Sequence, residues 1–400
     1  MEFKKMAETL GITTYPEKFE AIYANLTDEK TNFCDIAQIT ACNDELGMLG
    51  EYAELVLEGA KAVLADEALY KYGRTICDYI KVSTVFESRH VPLPVLDGSI
   101  GRDMFGALLI MTLIPESVKF HRAHGFIEDE IKQQFAGIAG CMKRVEDRIG
   151  RPAMSMSYYN WTLIKIFGEL FHHDGYEYQF RPFYGGAILL KNKETGEFLP
   201  MMIENTFHRN GRILGCPGAT EEEGSYGADF TETEDAFIGR PVIKGRVSSE
   251  IGEYKKNLWE CVLRPGDEVL AVHIPRGTDM SHEAFIRSFR GSFRVAKERY
   301  PERDPKFLVC FSWLMDPTLA ELMPNTKIAG FGNAFLKYPL ESSGKEVRSW
   351  VFPQCSNDNK LLPEDTSLQR MLKTLFLAGG YIYYTAGICT EVLRPEESEN

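Results

Sequence analysis

Long apolar runs are missing from this chain of 400 residues. The longest nearly uninterrupted one, Met104 to Ile114, is about half of the roughly 20 residues that a membrane helix needs. The opening Met1-Glu-Phe-Lys-Lys-Met-Ala-Glu8 lacks the apolar centre of a secretory signal. Both absences predict a soluble, unexported chain acting in the cytoplasm, with no membrane partner. Paired cysteines are missing too. Cys34, Cys42, Cys77, Cys141, Cys216, Cys261, Cys310, Cys355 and Cys389 are odd in number and scattered, with no Cys-x-x-Cys, as suits reduced thiols.

There is no basic tail. The formal charge of −13 argues against nucleic acid as the main partner, because binding a phosphate backbone needs clustered cations. No His-Glu-x-x-His occurs, and neither His121-x-x-His124 nor His172-His173-Asp174 has metal-ligand spacing, so no metal is expected. Repeats and low-complexity tracts are also lacking.

What is present is ordinary globular material. Hydrophobic residues make up 44% and charged residues 26%, and at roughly 100 to 200 residues per domain the length predicts two domains. Charge is unevenly spread. Arg240 to Tyr300 holds twelve Lys and Arg against eight Asp and Glu, a balance of +4 that leaves −17 elsewhere. An anionic small molecule meets the least repulsion there.

Helical periodicity dominates the first part. Leu46, Leu49, Tyr52 and Val56 recur at helical spacing, as do Ile131, Phe135, Ile138, Met142, Val145 and Ile149. Met104 to Leu113 and Met156 to Phe171 read as buried helices. After His172-His173-Asp174-Gly175 the period changes to that of strands, and a hairpin is predicted around Asn192-Lys-Glu-Thr-Gly196. Ala219 to Asp235 reads as an acidic surface loop. Strands are expected at Ile238 to Val247, Trp259 to Leu263, Glu268 to Ile274, Phe307 to Met315, Ile328 to Tyr338, Val347 to Phe352 and Tyr381 to Tyr384. Helices are expected at Ser281 to Tyr300, Pro317 to Leu322 and Thr366 to Leu377. The fold class is α+β: a helical domain over 1–174, a mixed, mostly antiparallel sheet flanked by helices over 175–394, and a disordered tail over 395–400.

Chemistry is sought in the run Pro265 to Ser281 and in Cys310-Phe-Ser-Trp-Leu-Met-Asp-Pro317. Gly277 joins a strand to a helix and permits close backbone approach, and Ser281 is a candidate N-cap. The start of such a helix, with unpaired N–H groups and a positive dipole end, suits a phosphate. Arg276 lies in the turn itself. Arg287, Arg290, Arg294 and Lys297 fall away from the apolar stripe Phe285, Phe289, Phe293, Ala296 and Tyr300, and read as a solvated face.

His273, at a strand end, is the candidate general base; a hydrogen-bonded structural histidine is the alternative. Leu308, Cys310, Ser312 and Leu314 alternate onto one strand face, with Phe311 and Trp313 on the other. Ser312 is a candidate catalytic hydroxyl, unless it satisfies a neighbouring backbone group. Trp313 and Asp316 are candidate substrate contacts. Core packing for Trp313, and a helix cap for Asp316 ahead of Pro317, are the alternatives.

The runs His273-Ile-Pro-x-Gly277 and Cys310-x-Ser-Trp-Leu-x-Asp-Pro317 resemble the GNAT-like acyltransferase family, in particular its two-domain members with a helical N-terminal domain. The resemblance implies strands that splay apart after His273 and from Phe307 to admit the pantetheine arm of an acyl-coenzyme A. Ile274, Pro275, Arg276, Gly277, Thr278 and Ser281 would then hold the coenzyme, its pyrophosphate lying at the helix start. Where that family usually carries a Gly-x-Gly or Gly-x-Ala turn, this chain has one glycine and Asp279.

The expected activity is direct acyl transfer to an amine or hydroxyl of a small-molecule or peptide acceptor, by a monomer or a homodimer. Two alternatives stand beside it. One is covalent catalysis by Cys310 with His273 and Asp316, as a thioesterase or acyl-enzyme transferase; the other is a ligand-binding protein without turnover.

Overall fold

The computed structural model describes residues 2–26, 33–353 and 355–393. The tail expected at 395–400 lies outside the described residues. The chain forms two compact units, 1–172 and 173–400, and the division comes two residues before the one read from the sequence.

The first unit is built from helices, among them α1 (Ala53–Ala65), α2 (Glu67–Ile80), α3 (Ile100–Ala123), α4 (Gly137–Ile149) and α5 (Met156–Ile166). Asp66 both ends α1 and starts α2. Its backbone is extended, and its carboxylate accepts from the amides of Ala68 and Leu69 at 2.9 and 3.1 Å. The middle of α3 is apolar all round, and Met104, Phe105 and 107–111 are each at most 1% exposed. It packs on α1 where Gly59 allows close approach, since a Cβ there would stand 2.5 Å from Met104 Cβ.

α3 also runs through Pro115 to 24 residues, so it exceeds the apolar run read from the sequence. By length and composition it could cross a membrane. However, 67% of its apolar window is buried inside the protein, as in a core helix.

Two large sheets make up most of the second unit. Strand β1 (Leu170–His173) carries the chain in, and β2 (Tyr176–Pro182) follows. A long excursion then forms β3 (Ala187–Asn192), β4 (Phe198–Met202), β5 (Ala236–Ile243), β6 (Gly252–Lys255) and β7 (Trp259–Leu263), in the order β6-β5-β4-β3-β7. The predicted hairpin at 192–196 joins β3 to β4. The acidic segment 219–235 is not a plain loop, since 226–227 pairs with 206–207 and 231–232 pairs with 237–238 of β5.

The excursion leaves and returns at one point. Phe183 N–H donates to Asp267 O at 2.7 Å, and Gly266 N–H donates to Phe183 O at 3.0 Å. There begins β8 (Glu268–His273), followed by helix α6 (His282–Arg299), β9 (Leu308–Ser312), the short helices α7 (Pro317–Leu322) and α8 (Lys327–Asn333), β10 (Phe335–Pro339) and β11 (Thr385–Cys389). Their sheet has the order β1-β2-β8-β9-β11-β10, with β8 and β9 parallel and the pairs β2–β8, β9–β11 and β10–β11 antiparallel.

Period 2 assigns the faces of this sheet. Tyr178 and Phe180 point to α6, whose Phe289 lies 6.4 Å from the Tyr178 ring and whose end, Tyr300, lies 4.9 Å from Phe180. The stripe Phe285, Phe289, Phe293, Ala296 and Tyr300 is buried as its spacing predicts. On the other face Val269, Ala271, Val309, Ala386 and Ile388 share one core with Ala187, Leu189 and Met202 of the excursion.

Three strand expectations are corrected. Residues 327–333 are helical because the Thr326 hydroxyl caps α8, accepting from Ala329 N–H at 3.2 Å. Residues 346–351 form a helix whose first turn is fixed by Glu346, which accepts from Ser343 N–H at 2.9 Å, and which buries Val347 fully. The last strand begins only at Thr385, because the amides of Tyr383 and Tyr384 donate instead to Asp316 Oδ2 at 2.7 Å and Ser342 Oγ at 2.8 Å.

Asp316 organises this corner. It is fully buried, caps α7 through Thr318 N–H at 2.9 Å, and pairs with Arg212 at 3.3 Å. The Arg212 guanidinium lies 3.6 Å above the Tyr383 ring. Breaking a buried pair strands a charge at a cost of about 3–5 kcal/mol. Urea denaturation of Arg212→Met should therefore show a loss of about that size; a loss below about 1 kcal/mol would mean that the pair does not hold the corner.

Candidate active site

Between β8 and β9 the ladder stops early. The two strands pair only at Leu270↔Leu308 and Ala271↔Val309. Yet β8 continues its ladder with β2 to His273↔Glu177, and β9 continues with β11 to Ser312↔Thr385. Each strand is thus held from outside while the facing edges of 272–273 and 310–312 part. This opening lies at the strand ends singled out in the sequence.

The turn after β8 has one conformational requirement. Gly277 has φ of +88°, and Thr278 N–H donates back to Pro275 O at 3.2 Å, so the third position of the turn is left-handed and favours glycine. No atom lies within 4 Å of where its Cβ would stand, so the space over the turn is open. The Thr278 hydroxyl is spent on Pro275 O and Gly175 O, both at 2.8 Å. Ile274 and Pro275 are half-buried and Arg276 is exposed.

Ser281 is the N-cap residue of α6 by position, but it makes no side-chain cap. Its hydroxyl donates to Asp279 Oδ2 at 2.9 Å, which leaves the first-turn amides without a side-chain cap from Ser281. Asp279 also pairs with Lys327 at 2.8 Å, and that hydrogen bond, with those from Ser281, pulls its carboxyl down to about 2. An anion thus already stands at the helix start. Along the outer face of α6 runs a groove of about 950 Å³ lined by Arg287, Arg290, Arg294 and Lys297, all exposed.

His273 lies on the sheet face opposite α6, with Nε2 3.1 Å from Gln179 Oε1. With that oxygen accepting, Nε2 carries the proton and the basic lone pair falls on Nδ1. Ser312 lies on the α6 face and its hydroxyl accepts from Leu314 N–H at 3.2 Å, so it serves a neighbouring backbone group while still bordering the opening.

Cys310 shares Ser312's face and is 1% exposed; burial pushes its thiol up to about 12. Cys310 and His273 therefore point to opposite faces of the sheet and form no nucleophile–base pair. Asp316 is wholly buried and engaged by Arg212, Thr318 and Tyr383, which is a structural use of its carboxylate. Trp313 is half-buried against Leu319, Val347 and their neighbours, so it packs in a core.

Sequence reading missed the polar face of β2. Glu177, Gln179 and Arg181 alternate with Tyr178 and Phe180 on an interior strand, a pattern that reads as one wet face where a fully buried strand is expected. Arg212 left no local signal, since its partner lies 104 positions away.

The family described as GNAT-like C-terminal domain matches residues 185–389. The chain belongs to that family. Three solved structures share the fold: an acyltransferase in complex with decanoyl-CoA and teicoplanin (15% identity, TM-score 0.64, 99% of this chain and 100% of that one), the same description with CoA and 10C-teicoplanin (14%, 0.63, 99% and 100%), and an acyltransferase with decanoyl-CoA (14%, 0.62, 97% and 99%). At such identity the likeness is one of fold. No curated protein matches the chain. Within this GNAT-like domain the parted strands are β8 and β9, with α6 between them in sequence.

A thiol neutral below about pH 12 and hidden from solvent does not alkylate. Iodoacetamide at pH 8 should leave Cys310 of the native protein unmodified by mass spectrometry; rapid labelling at that residue would overturn its placement.

Proposed function

We propose that the second unit transfers an acyl group from an acyl-coenzyme A to an amine or hydroxyl of a small-molecule or peptide acceptor, by direct attack and in the cytoplasm. The observation that carries this is the parting of β8 and β9 beyond Ala271 and Val309. Backbone edges left unpaired inside a protein are costly, and a pantetheine arm, an extended chain with two amides, can satisfy both edges as an added strand. Support comes from the solved structures of like fold, which are acyltransferases in complex with CoA or decanoyl-CoA, two of them with teicoplanin or 10C-teicoplanin. All nine cysteines are free thiols, as suits a reducing compartment.

The residues present fit the coenzyme. The first-turn amides of α6, left uncapped by the Ser281 side chain, suit its pyrophosphate, Arg276 adds charge from the turn, and the open space over Gly277 lets phosphate approach the backbone. The thioester then lies across the opening. The acceptor enters on the His273 face, where the imidazole takes its proton as the new bond to the carbonyl carbon forms. Breakage of the C–S bond releases the thiolate on the other face, beside the Ser312 hydroxyl. Holding both reactants in one cleft supplies most of the rate.

Acetyl-, octanoyl- and decanoyl-coenzyme A at millimolar concentration should raise the melting temperature by several degrees, since a ligand at about 100 times its Kd adds about 2.7 kcal/mol. No shift with any of them would sink the proposal. His273→Ala should keep that shift and lower kcat by about 10²- to 10⁴-fold.

Asp279→Asn removes a competing anion and releases Lys327. Titration calorimetry should find coenzyme A bound about two- to five-fold tighter at low salt, with the gain fading as salt rises. Weaker binding would show instead that Asp279 shapes the turn.

A further inference from the structure

One partly buried cation of the second unit stacks on aromatic rings instead of pairing with a carboxylate. Arg181, on β2, projects to the same sheet face as Gln179 and His273. Its Nε is buried with no hydrogen-bond partner, and among the described residues no carboxylate lies within ion-pair distance. The side chain is half-buried overall, and its guanidinium also hydrogen-bonds the Tyr184 side chain. What surrounds the guanidinium is aromatic: its carbon is 4.4 Å from the Tyr184 ring centroid and 5.1 Å from that of Phe311. Those two rings stack at 4.2 Å and 24°. Tyr184 is fixed by the Tyr338 hydroxyl, which donates to its carbonyl at 2.7 Å. Phe311 belongs to the part of β9 beyond the last rung with β8, and so borders the opening.

An arginine drawn into a protein ordinarily finds a carboxylate, because a partly desolvated charge is costly when unpaired. Stacking on rings orients the guanidinium plane and offsets part of that cost, but supplies no counter-charge. We propose that Arg181, framed by Tyr184 and Phe311, binds a carboxylate of the substrate on the His273 face of the opening. The fork geometry of the guanidinium matches a carboxylate with two parallel hydrogen bonds. The carboxylate belongs to the acceptor or to a dicarboxylic acyl group. This rests on the acyltransferase reading above and adds to it the charge of the substrate.

Two arms separate the sources. In the donor arm, Kd is measured by calorimetry for succinyl-coenzyme A against butyryl-coenzyme A. In the acceptor arm, KM is measured for amino acids and dipeptides against their C-terminal amides, with acetyl- and octanoyl-coenzyme A as donors. The wild type should favour the carboxylate form by about ten-fold or more in one arm, as suits a charge-assisted pair. The arm that responds names the source. Arg181→Gln should erase that preference while its affinity for coenzyme A itself is unchanged, and Arg181→Lys, which keeps the charge without the fork, should retain part of it.

A wild type indifferent to the carboxylate in both arms overturns the proposal, as does a preference that survives in Arg181→Gln. Far-ultraviolet circular dichroism and a melting curve on each variant separate loss of recognition from loss of fold. If coenzyme A and its thioesters bind nothing at all, the acyltransferase reading fails on its own terms, by a result in which Arg181 plays no part.

Discussion

Two parallel strands that begin as neighbours and end apart set the terms for the whole second unit. A sheet tolerates such a gap only if each strand is anchored on its far side. Here β2 holds β8 to His273, and β11 holds β9 to Ser312. The anchors need anchors in turn. Behind β2 and β8 stands α6 with its phenylalanines. Behind β9 and β11 the chain turns sharply into α7, and Asp316 ties that turn to the approach of the last strand through Tyr383. The gap is therefore a property of the packing around it and asks little of the residues that line it.

This explains which parts were legible in the sequence. The helix 282–299 was, because its stripe of Phe285, Phe289 and Phe293 is local and periodic. So was the turn at Gly277, whose left-handed backbone leaves few residue choices. The strand expectation at 328–338 held only from Phe335, and that at 347–352 failed, because local side-chain hydrogen bonds, the Thr326 cap and the Glu346 bond to Ser343 N–H, outweighed the branched and aromatic residues that favour strands. Sequence spacing also cannot say on which side of a sheet two residues from different strands will stand. Cys310 and His273 lie close in the chain's logic and on opposite faces in space. A slip of one position in register would have put them together.

The charges repeat the point. Asp316 and Asp279 are both aspartates at helix starts, yet the first is sealed in the interior with an arginine and the second stands in solvent with a lysine. Burial separates a structural group from one that meets ligands, and burial is set by elements remote in sequence: Arg212 comes from the excursion, Lys327 from α8. Likewise, Arg181 looks like any polar residue on an alternating strand until Phe311, 130 positions further on, is seen beside it.

The excursion from Tyr184 to Gly266 departs and returns through hydrogen bonds between Phe183 and its partners Asp267 and Gly266. Topologically it is a parenthesis, and a tight hairpin could bridge β2 to β8 in its place. Closing so long a loop adds little entropy cost, since each doubling of length costs only about 0.6 kcal/mol. Energetically it is no parenthesis, for without it Val269, Ala271, Val309 and Ile388 would face water. The six-stranded sheet thus receives the cover for its second face from a piece of chain that interrupts it. Folding must either build that cover before the ladder of β2 and β8 zips shut, or carry a bare apolar face until it arrives.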